Sequence, residues 1–342
     1  MKKRFLKLLF FFFCISDTCL AGYFQRLVIS PEGTPYLNVY TRQGSLNIMK
    51  YNSQRKALDV YFPIANQEKC HINYSALDSM GKKLAYFGYC RLTNSISSET
   101  SAQGFYYINV MNIVNKKEII TFNHGGNLFS FSPKGDSIVF AEEIPGEPGF
   151  PAPPGYQGGV WLYNFNTKTK KMILPASVVV KDLNWSEHDN NIYFLTYPSI
   201  LRYNAAKAKI EEVPYKGIYF SSDGKYYAET SMGGSHIYRT ADNVRMMDWN
   251  KMILEISEHK PDSMSFQFWS NKLKAGIFSI SGEKNVVFDV EQGKVIGVFT
   301  GYVIGTNPDG TLVAVHPSGK DGRSKIEILN LLDLVNKSGS PK

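Results

Sequence analysis

The sequence predicts an all-β fold, a seven-bladed β-propeller of mostly four-stranded antiparallel blades. Three observations lead to this prediction: the composition, a recurring turn phrase and the regular spacing of that phrase. The 342 residues can bury a large core and include 22 Phe, 21 Tyr and 28 Gly. This mixture favours strands joined by tight turns, and no long stretch has sustained helical periodicity.

One phrase recurs along the chain: a strand-like run, a turn rich in Gly, Asp or Asn, and a second strand-like run. A clear copy is FSPKGDSIVFAEE at 131–143. Proline at the second turn position presets φ, and glycine at the fourth tolerates positive φ. The seven copies occupy residues 28–40, 74–88, 131–143, 185–197, 220–231, 269–280 and 306–317.

The copies are spaced like the blades of a propeller. Their turn anchors lie 35 to 54 residues apart, and a period of about 40–50 residues with four short strands per unit is typical of this fold. Leucine suits a left-handed turn position poorly, so the sixth turn is expected to close differently. The seventh unit is short, so we expect its outer strand to be missing or irregular. The anchors are Gly33, Gly81, Gly135, Asp189, Gly224, Leu273 and Gly310.

The phrases SPKGDSIVF, SSDGKYYAE and NPDGTLVAV resemble the Ser-Pro-Asp-Gly repeats of TolB-type, or Trp-Asp-like, β-propellers. The resemblance covers nearly all of residues 23–335, unit by unit. It implies the fold and no single function, because the family includes periplasmic interaction scaffolds, accessory domains of peptidases and a few lyases. The repeat residues are structural, so the resemblance assigns no catalytic residue.

The first residues predict export. Residues 1–21 combine a basic start, an apolar centre and small residues before a cleavage site after Ala21, the pattern of a secretory signal peptide. We therefore expect a periplasmic or secreted protein with one propeller domain at 22–335 and a flexible C-terminal tail at 336–342.

Two alternatives would keep the leader on the mature protein. An uncleaved anchor is one, but the apolar run from Leu8 to Ile15 is about half of what spans a bilayer. A lipid anchor on Cys14 or Cys19 is the other, and Phe13 and Thr18 are poor residues to precede a lipidated cysteine. Cleavage is the favoured interpretation, and no later segment is apolar enough to span a membrane.

The charge distribution argues against a nucleic-acid partner. Cleavage removes four basic residues and one acidic residue and lowers the formal net charge from +8 to +5. The remaining lysines are scattered, whereas nucleic-acid binding needs a concentrated basic stripe. We expect a monomer with a protein or peptide partner in the cell envelope, no nucleic acid and no cofactor.

Cys70 and Cys90 are the only cysteines after the leader. If Ala76 pairs with Leu84 in an antiparallel hairpin, Cys70 lies opposite Cys90, at about the Cα separation of a disulfide. Export permits such a bond, which would stabilise the fold by roughly 3 kcal/mol in the chain-entropy model. Metal binding by the two thiols is the rival, and it lacks further ligands at suitable spacing.

The sequence contains no recognisable catalytic motif. SMGGSH at 231–236 lacks the second flanking glycine of a nucleophile elbow, and SSDG at 221–224 lacks the spacing and the Trp of a sialidase box. Zinc-protease, phosphate-loop and EF-hand motifs are also missing from the sequence. Four histidines in different blades are expected near one face and form an alternative metal site: His124, His236, His259 and His316.

Two insertions are the informative departures from the repeat. Residues 90–104 and 142–159 both join a second strand to a third, so both should emerge on one face of neighbouring blades. Long loops on a rigid scaffold commonly carry recognition, and proline lowers the ordering cost on binding. A tolerated insertion without function is the alternative. The predicted binding residues are Arg91, Glu142, Glu143, Glu147, Phe150, Tyr156 and Gln157.

Two functions follow as hypotheses. The first is an exported, non-catalytic scaffold that binds a protein or peptide through the face bearing 90–104 and 142–159. The second is a propeller enzyme, a carbohydrate lyase or hydrolase, with a histidine-based site at the channel mouth. A purely structural envelope component is not separable from the first by sequence.

Overall fold

The structure is a computed structural model that describes residues 27–30, 33–40, 46–52, 57–64, 70–91, 104–142, 158–230, 235–246, 264–280, 284–316 and 327–338. These residues form 26 strands and one helix. The strands are β1 (Leu27–Ile29), β2 (Pro35–Tyr40), β3 (Leu46–Asn52), β4 (Ala57–Ile64), β5 (Cys70–Leu77), β6 (Lys83–Arg91), β7 (Gly104–Asn112), β8 (Lys117–Asn123), β9 (Gly125–Phe131), β10 (Ser137–Glu142), β11 (Val160–Asn164), β12 (Thr169–Leu174), β13 (Asp182–Trp185), β14 (Ile192–Leu195), β15 (Ile200–Asn204), β16 (Lys209–Val213), β17 (Tyr219–Phe220), β18 (Tyr226–Glu229), β19 (His236–Arg239), β20 (Met264–Ser270), β21 (Ala275–Ile280), β22 (Lys284–Asp289), β23 (Lys294–Thr300), β24 (Tyr302–Thr306), β25 (Leu312–His316) and β26 (Glu327–Asn330).

The strands pair in chain order into antiparallel sheets, which we number 1 to 7. Sheets 1–4 and 6 have four strands (β1–β4, β5–β8, β9–β12, β13–β16 and β20–β23), and sheets 5 and 7 have three (β17–β19 and β24–β26). The predicted all-β propeller of mostly four-stranded antiparallel sheets is confirmed. The predicted number of seven blades is not confirmed. Hydrogen bonds divide the strands into seven sheets, but the propeller is assigned six blades. Residues 251–257, which lie between sheets 5 and 6 in the chain, are outside the described residues.

The turn between the first and second strand of a sheet is held by the residue that opens it. In sheet 3, Ser132 Oγ accepts a hydrogen bond from Ser137 N at 3.0 Å, and the Ser132 carbonyl accepts one from Gly135 N at 2.8 Å. In sheet 7, Asn307 Oδ1 accepts from Leu312 N at 2.8 Å. A short polar side chain at this position therefore replaces a backbone partner, which explains why the phrase opens with Ser, Asn or Asp.

The turn glycines serve a second purpose, because the preceding sheet fills the space that a side chain would need. A Cβ on Gly135 would lie 2.7 Å from Asp78 Oδ2, and one on Gly310 would lie 2.8 Å from Ser270 Cα. Both glycines also have positive φ. The first turn of sheet 1 packs on sheet 7 in the same way, since a Cβ on Gly33 would lie 3.0 Å from Leu312. The repeat thus packs each turn onto its neighbour.

Two of the predicted turn anchors are displaced by one residue. In sheet 4 the left-handed residue is Asn190 (φ 56°) and not Asp189, and in sheet 6 it is Lys274 (φ 51°) and not Leu273. These turns span as many residues as the glycine turns, but their left-handed position comes one residue later. Asparagine tolerates the left-handed conformation, and Leu273 does not have to adopt it.

The core lies between neighbouring sheets. Phe122 of sheet 2 stacks on Phe140 of sheet 3 with ring centroids 4.4 Å apart, and further buried aromatic and branched residues of both sheets surround the pair. Similar clusters lie between sheets 3 and 4, 5 and 6, and 6 and 7. Apolar side chains on both faces of the middle strands are therefore buried, as a stack of blades requires.

A short helix, α1 (Leu331–Ser338), follows the last strand and was not predicted. Asn330 Oδ1 accepts a hydrogen bond from Leu332 N at 3.0 Å and caps the helix. Leu334 and Val335 pack on the cluster between sheets 6 and 7, against the Cα of Gly297 in β23. The helix runs across residue 336, where the predicted flexible tail begins.

Cys70 lies opposite Cys90 as predicted, although the rest of the hairpin pairs in a different register. Leu77 pairs with Leu84 and Ala76 with Ala85, one residue from the register assumed. A bulge between Ile72 and Tyr74 then shifts the pairing and brings Cys70 opposite Cys90. The side chains of both cysteines lie outside the described part of the chain, so the disulfide stays a prediction.

Candidate functional site

The first strands of the sheets surround a central channel, which is the main concave feature of the described residues. Three overlapping cavities of about 580, 350 and 540 Å³ follow its wall. The first two share seven lining residues and so form one passage. The shared residues are Tyr74, Phe129, Ser130, Asn184, Tyr219, Phe266 and Gln267.

The channel has two distinguishable ends. We call the end with the turns between first and second strands the turn face, and the opposite end the loop face. The cavity of about 350 Å³ reaches the turn face at Ser79, Pro133 and Asn271. The cavity of about 580 Å³ reaches the loop face at Asn127 and Lys181, where inner strands begin.

Strand β13 shows how the sequence divides wall from core. Leu183 and Trp185 are 6% and 7% exposed and lie in the core between sheets 3 and 4. Asp182 and Asn184 alternate with them on the other side of the strand, and all four residues border the channel cavities. The short stretch DLNW therefore places a carboxylate and an amide on the wall.

Asp182 is a poorly solvated carboxylate near the loop face. Burial raises the pKa of Asp182, and hydrogen bonds from the Tyr219 hydroxyl and from Leu183 N, the latter at 2.9 Å, partly oppose that rise. Among the described residues, Asp182 forms no ion pair. The cation nearest in sequence is Lys181, whose Nζ lies 5.1 Å from the ring centroid of Tyr197. Within the described part of the chain, Asp182 is therefore held by hydrogen bonds and not by an ion pair, and Lys181 lines the same cavity.

A second carboxylate, Glu187, lies at the turn face. Asn271 Nδ2 donates a hydrogen bond to Glu187 Oε2 at 3.0 Å and so joins the turns of sheets 4 and 6. Burial raises the pKa of Glu187, and the bond from Asn271 opposes that rise. Within the described chain Glu187 has no basic partner either, and its Oε1 accepts no hydrogen bond.

The amides of the wall use their donors inside the protein. Asn184 Nδ2 donates to the Ile218 carbonyl at 2.9 Å, and Gln267 Nε2 donates to Ser265 Oγ at 2.7 Å. Asn271 uses its amide nitrogen on Glu187, as described above. Each carbonyl oxygen stays available as an acceptor, and Asn184 and Asn271 each keep a second N–H that these bonds do not use. The wall thus offers acceptors and donors, and Lys181 adds a cationic group to its lining.

Aromatic rings form another part of the wall, beside aliphatic and hydroxyl side chains and Lys181. Tyr74 meets Phe129 edge to face with centroids 4.8 Å apart, and Phe266 lies 5.9 Å from Tyr219 and 5.3 Å from Trp269. The Trp269 indole N–H donates to the Tyr219 carbonyl at 2.9 Å, and this bond fixes the position of the indole ring. These π faces are the preferred surroundings of organic cations and of stacked flat groups.

Of the predicted binding residues, the structure describes the side chain of Glu142 alone, and it is fully engaged. Glu142 Oε2 accepts from Gly158 N at 2.9 Å, and Oε1 pairs with Lys170 Nζ at 2.8 Å. The Glu142 side chain is 3% exposed, and Lys170 Nζ lies 3.9 Å from the Trp161 ring centroid. Glu142 therefore closes the base of the insertion and is not available to a partner.

The other predicted binding residues are not described in enough detail to test. For Arg91 the structure describes the end of β6 and not the side chain, and the remaining five lie outside the described residues. Those five are Glu143, Glu147, Phe150, Tyr156 and Gln157. The sequence predictions about this set stay predictions.

The histidine alternative gains no support from the two histidines that are described. His124 joins β8 to β9, and His236 begins β19. Neither lines the three cavities of the channel. Burial, reinforced by Arg245, lowers the pKa of His236. His259 and the side chain of His316 lie outside the described part, within which no group of three metal-binding side chains is found.

Sequence reasoning missed the two channel carboxylates. Asp182 lies in a stretch without a turn phrase, and Glu187 belongs to a phrase that was interpreted as structural only. The available signal was the alternation in DLNW, where two polar residues occupy one face of an inner strand. That signal predicts a polar channel wall once the strand is known to be innermost.

The fold and the channel define the protein as a β-propeller with a polar and aromatic central channel. In comparisons with solved structures, the chain is similar to TolB from Acinetobacter baumannii, with 15% sequence identity and a TM-score of 0.41. The similarity covers 89% of this chain and 62% of that chain, which is less than two thirds. The predicted resemblance to TolB-type propellers is thus found in the structure, at a level that shows nothing about function.

No family model matches the chain, and no curated protein matches it. In the part of the chain that the structure describes, no helix is long and apolar enough to cross a membrane.

Proposed function

We propose that the protein is an exported binding propeller whose loop face, with the insertions 90–104 and 142–159, receives a protein or peptide partner. The observation that carries this proposal is the placement of the two insertion bases. Both lie at the loop face of adjacent sheets, the face that the channel cavity of about 580 Å³ reaches at Asn127 and Lys181. Recognition loops on a rigid scaffold next to a concave mouth are a common arrangement for binding.

The orientation of the sheets supports this placement. Ser79 Oγ donates to the Pro133 carbonyl at 2.6 Å, and Lys83 Nζ donates to the Gly135 carbonyl at 2.7 Å. These contacts hold the first turns of sheets 2 and 3 side by side at the turn face. Since strands alternate in direction, the ends of β6 and β10, where both insertions leave, lie together at the opposite face.

The base of the second insertion is firmly held, which favours recognition over a loose loop. Glu142 binds Gly158 and Lys170 from a nearly buried position. Gly159 has a φ of 83°, and a Cβ there would be 3.1 Å from the nitrogen of Ala176, besides a closer approach to Leu174. The chain therefore leaves and re-enters sheet 3 at fixed points, and binding would order only the residues between them.

The export part of the proposal rests on residues 1–21, which lie outside the described residues. Their basic, apolar and small-residue order supports cleavage after Ala21 and a periplasmic or secreted location. We propose a monomeric mature chain that stays in the cell envelope or outside the cell.

The test is site-specific photo-crosslinking in cells of the native organism. A photo-reactive amino acid at Phe150 or Tyr156 should capture the same partner, and deletion of 145–157 should abolish capture from other loop-face positions. Matched controls are Met80 and Val114, which are 52% and 71% exposed and lie in turns at the opposite face. Equal capture from both faces, or a partner that survives the deletion, would overturn the proposal. Unchanged thermal unfolding of the deletion protein separates loss of binding from loss of fold.

A further inference from the structure

The turn that opens sheet 6 lacks the glycine with which other turns pack onto the preceding sheet. Gly135 and Gly310 leave no room for a Cβ, because Asp78 and Ser270 of the preceding sheets fill that space. In sheet 6 the left-handed residue is Lys274, which carries a side chain. A small cavity, which we call the turn cavity, lies between this turn and the turn of sheet 5.

The turn cavity has the size and the lining of a hydration site. Its volume is about 10 Å³, about the space that one water molecule requires. Sheet 5 contributes Ser222 and Asp223 to its lining, and sheet 6 contributes Ser270, Lys274 and Glu291. These side chains carry hydroxyl, carboxylate and ammonium groups, so a small polar molecule would find both donors and acceptors there.

The hydroxyl of Ser270 is the observation that points to a ligand. Ser270 is 1% exposed, and within the described part of the chain its Oγ has no hydrogen-bond partner. In sheet 5 the equivalent hydroxyl, that of Ser221, accepts a hydrogen bond from Tyr226 N at 3.1 Å. In sheet 6 Ser270 and Ala275 are instead the last pair of the β20–β21 ladder. Backbone pairing therefore takes the place of the side-chain bond and leaves the hydroxyl for another partner.

We propose that the turn cavity binds one ordered water molecule, which bonds to Ser270 Oγ and joins the turns of sheets 5 and 6. A buried hydroxyl without a partner is unfavourable, and buried polar groups in proteins are bonded to protein or to ordered water. A bridging water is nearly as good a partner as a direct hydrogen bond. It would link sheet 6 to sheet 5 at the place where other turns use the close approach of a glycine.

The charges around the turn cavity favour a neutral ligand over an ion. Lys225 Nζ lies 2.7 Å from Glu291 Oε1 and 3.8 Å from Asp223 Oδ2. With Lys274 on the wall, two ammonium groups balance the two carboxylates. A metal cation would meet the two ammonium groups, and an anion would meet the two carboxylates. Water has no net charge and can both donate and accept.

The experiment is a pair of high-resolution crystal structures, of the mature protein and of its Ser270→Ala variant. In the unsubstituted protein, one ordered water should lie at hydrogen-bond distance from Ser270 Oγ, about 2.5–3.0 Å, and should also bond to a group of sheet 5. In the variant this water should be lost. A dry cavity, a Ser270 hydroxyl bonded to a protein group, or a water that is unchanged in the variant would each overturn the proposal.

Urea unfolding tests whether the water joins the two turns. The matched control is Ser132→Ala, because Ser132 Oγ is bonded within the protein, to Ser137 N at 3.0 Å and to Asp136 Oδ1 at 2.8 Å. Both variants should unfold at a lower urea midpoint than the unsubstituted protein. Removal of a hydroxyl without any partner would leave the midpoint of Ser270→Ala unchanged or raise it, and that result would overturn the proposal. Neither measurement involves the loop face, so the outcome is separate from that of the crosslinking test.

Discussion

Replacement of Gly310 by alanine measures how much the packing of one turn on the preceding sheet stabilises the propeller. The φ of Gly310 is 66°, a conformation that costs an L-residue about 1–2 kcal/mol. The added Cβ would also meet the backbone of Trp269 and Ser270 in the preceding sheet, with Ser270 Cα at 2.8 Å. Backbone must move to admit it, which costs a further ~1–3 kcal/mol. We expect a total loss of about 2–5 kcal/mol in the free energy of unfolding.

The chain contains a matched control for the backbone conformation alone. Gly293 has a φ of 63°, but nothing lies within 4 Å of a Cβ built there. Gly293→Ala should therefore cost only about 1–2 kcal/mol. Alanine reduces the entropy of the unfolded chain equally at both sites, so that effect cancels in the difference. Urea unfolding followed by tryptophan fluorescence gives both values. If Gly310→Ala destabilises no more than Gly293→Ala, the contact between successive sheets is not what requires glycine in the phrase.

Three further predictions follow from particular residues. Glu142→Gln should expose the 143–157 segment to limited proteolysis earlier than Glu212→Gln does, because it removes the charge that pairs with Lys170; equal cleavage rates would contradict the proposed role as a clamp. Burial raises the pKa of Asp182 in the folded protein above the ordinary value of 3.8, so the stability due to its protonated form is present below that value and is lost as the pH rises through the raised pKa. Asp182→Asn should therefore flatten the fall in stability over that window in pH-dependent urea unfolding, and an unchanged profile would refute it. Thiol labelling of the unreduced mature protein should find no free cysteine, since Cys70 lies opposite Cys90; two reactive thiols would rule out the bond.

The architecture was predictable because each repeated turn is formed by residues that are close together in the sequence. Ser132 and Gly135 form their turn through bonds within six residues, and the flanking strands alternate in a way that a single sequence displays. The errors arose where local chemistry was ambiguous. Asn190 and Asp189 are both good turn residues, and the left-handed conformation falls on Asn190. Helix α1 is only eight residues long, too short for periodicity to stand out from a strand followed by a tail.

The candidate site was far less predictable, because its residues share no motif and come from different sheets. Asp182 accepts a hydrogen bond from Tyr219, 37 residues away, and Glu187 accepts one from Asn271, 84 residues away. No spacing rule connects such pairs until the sheets are arranged around a channel. Glu142 shows the opposite failure. Its place in an inserted, charged segment suggested recognition, but its side chain is buried and pairs with Lys170 of β12.

The division between structural and functional positions follows from how the sheets pack. The turn residues are constrained twice, by their own hydrogen bonds and by the preceding sheet, as Gly135 is by Asp78. Side chains on the channel wall also meet neighbouring sheets: Asp182 and Asn184 bond to Tyr219 and Ile218, and Glu187 bonds to Asn271 of sheet 6. Asp182 and Glu187 nevertheless keep charges that burial penalises. The channel wall is therefore held by polar bonds between sheets, whereas the turns are held by packing and by their own hydrogen bonds.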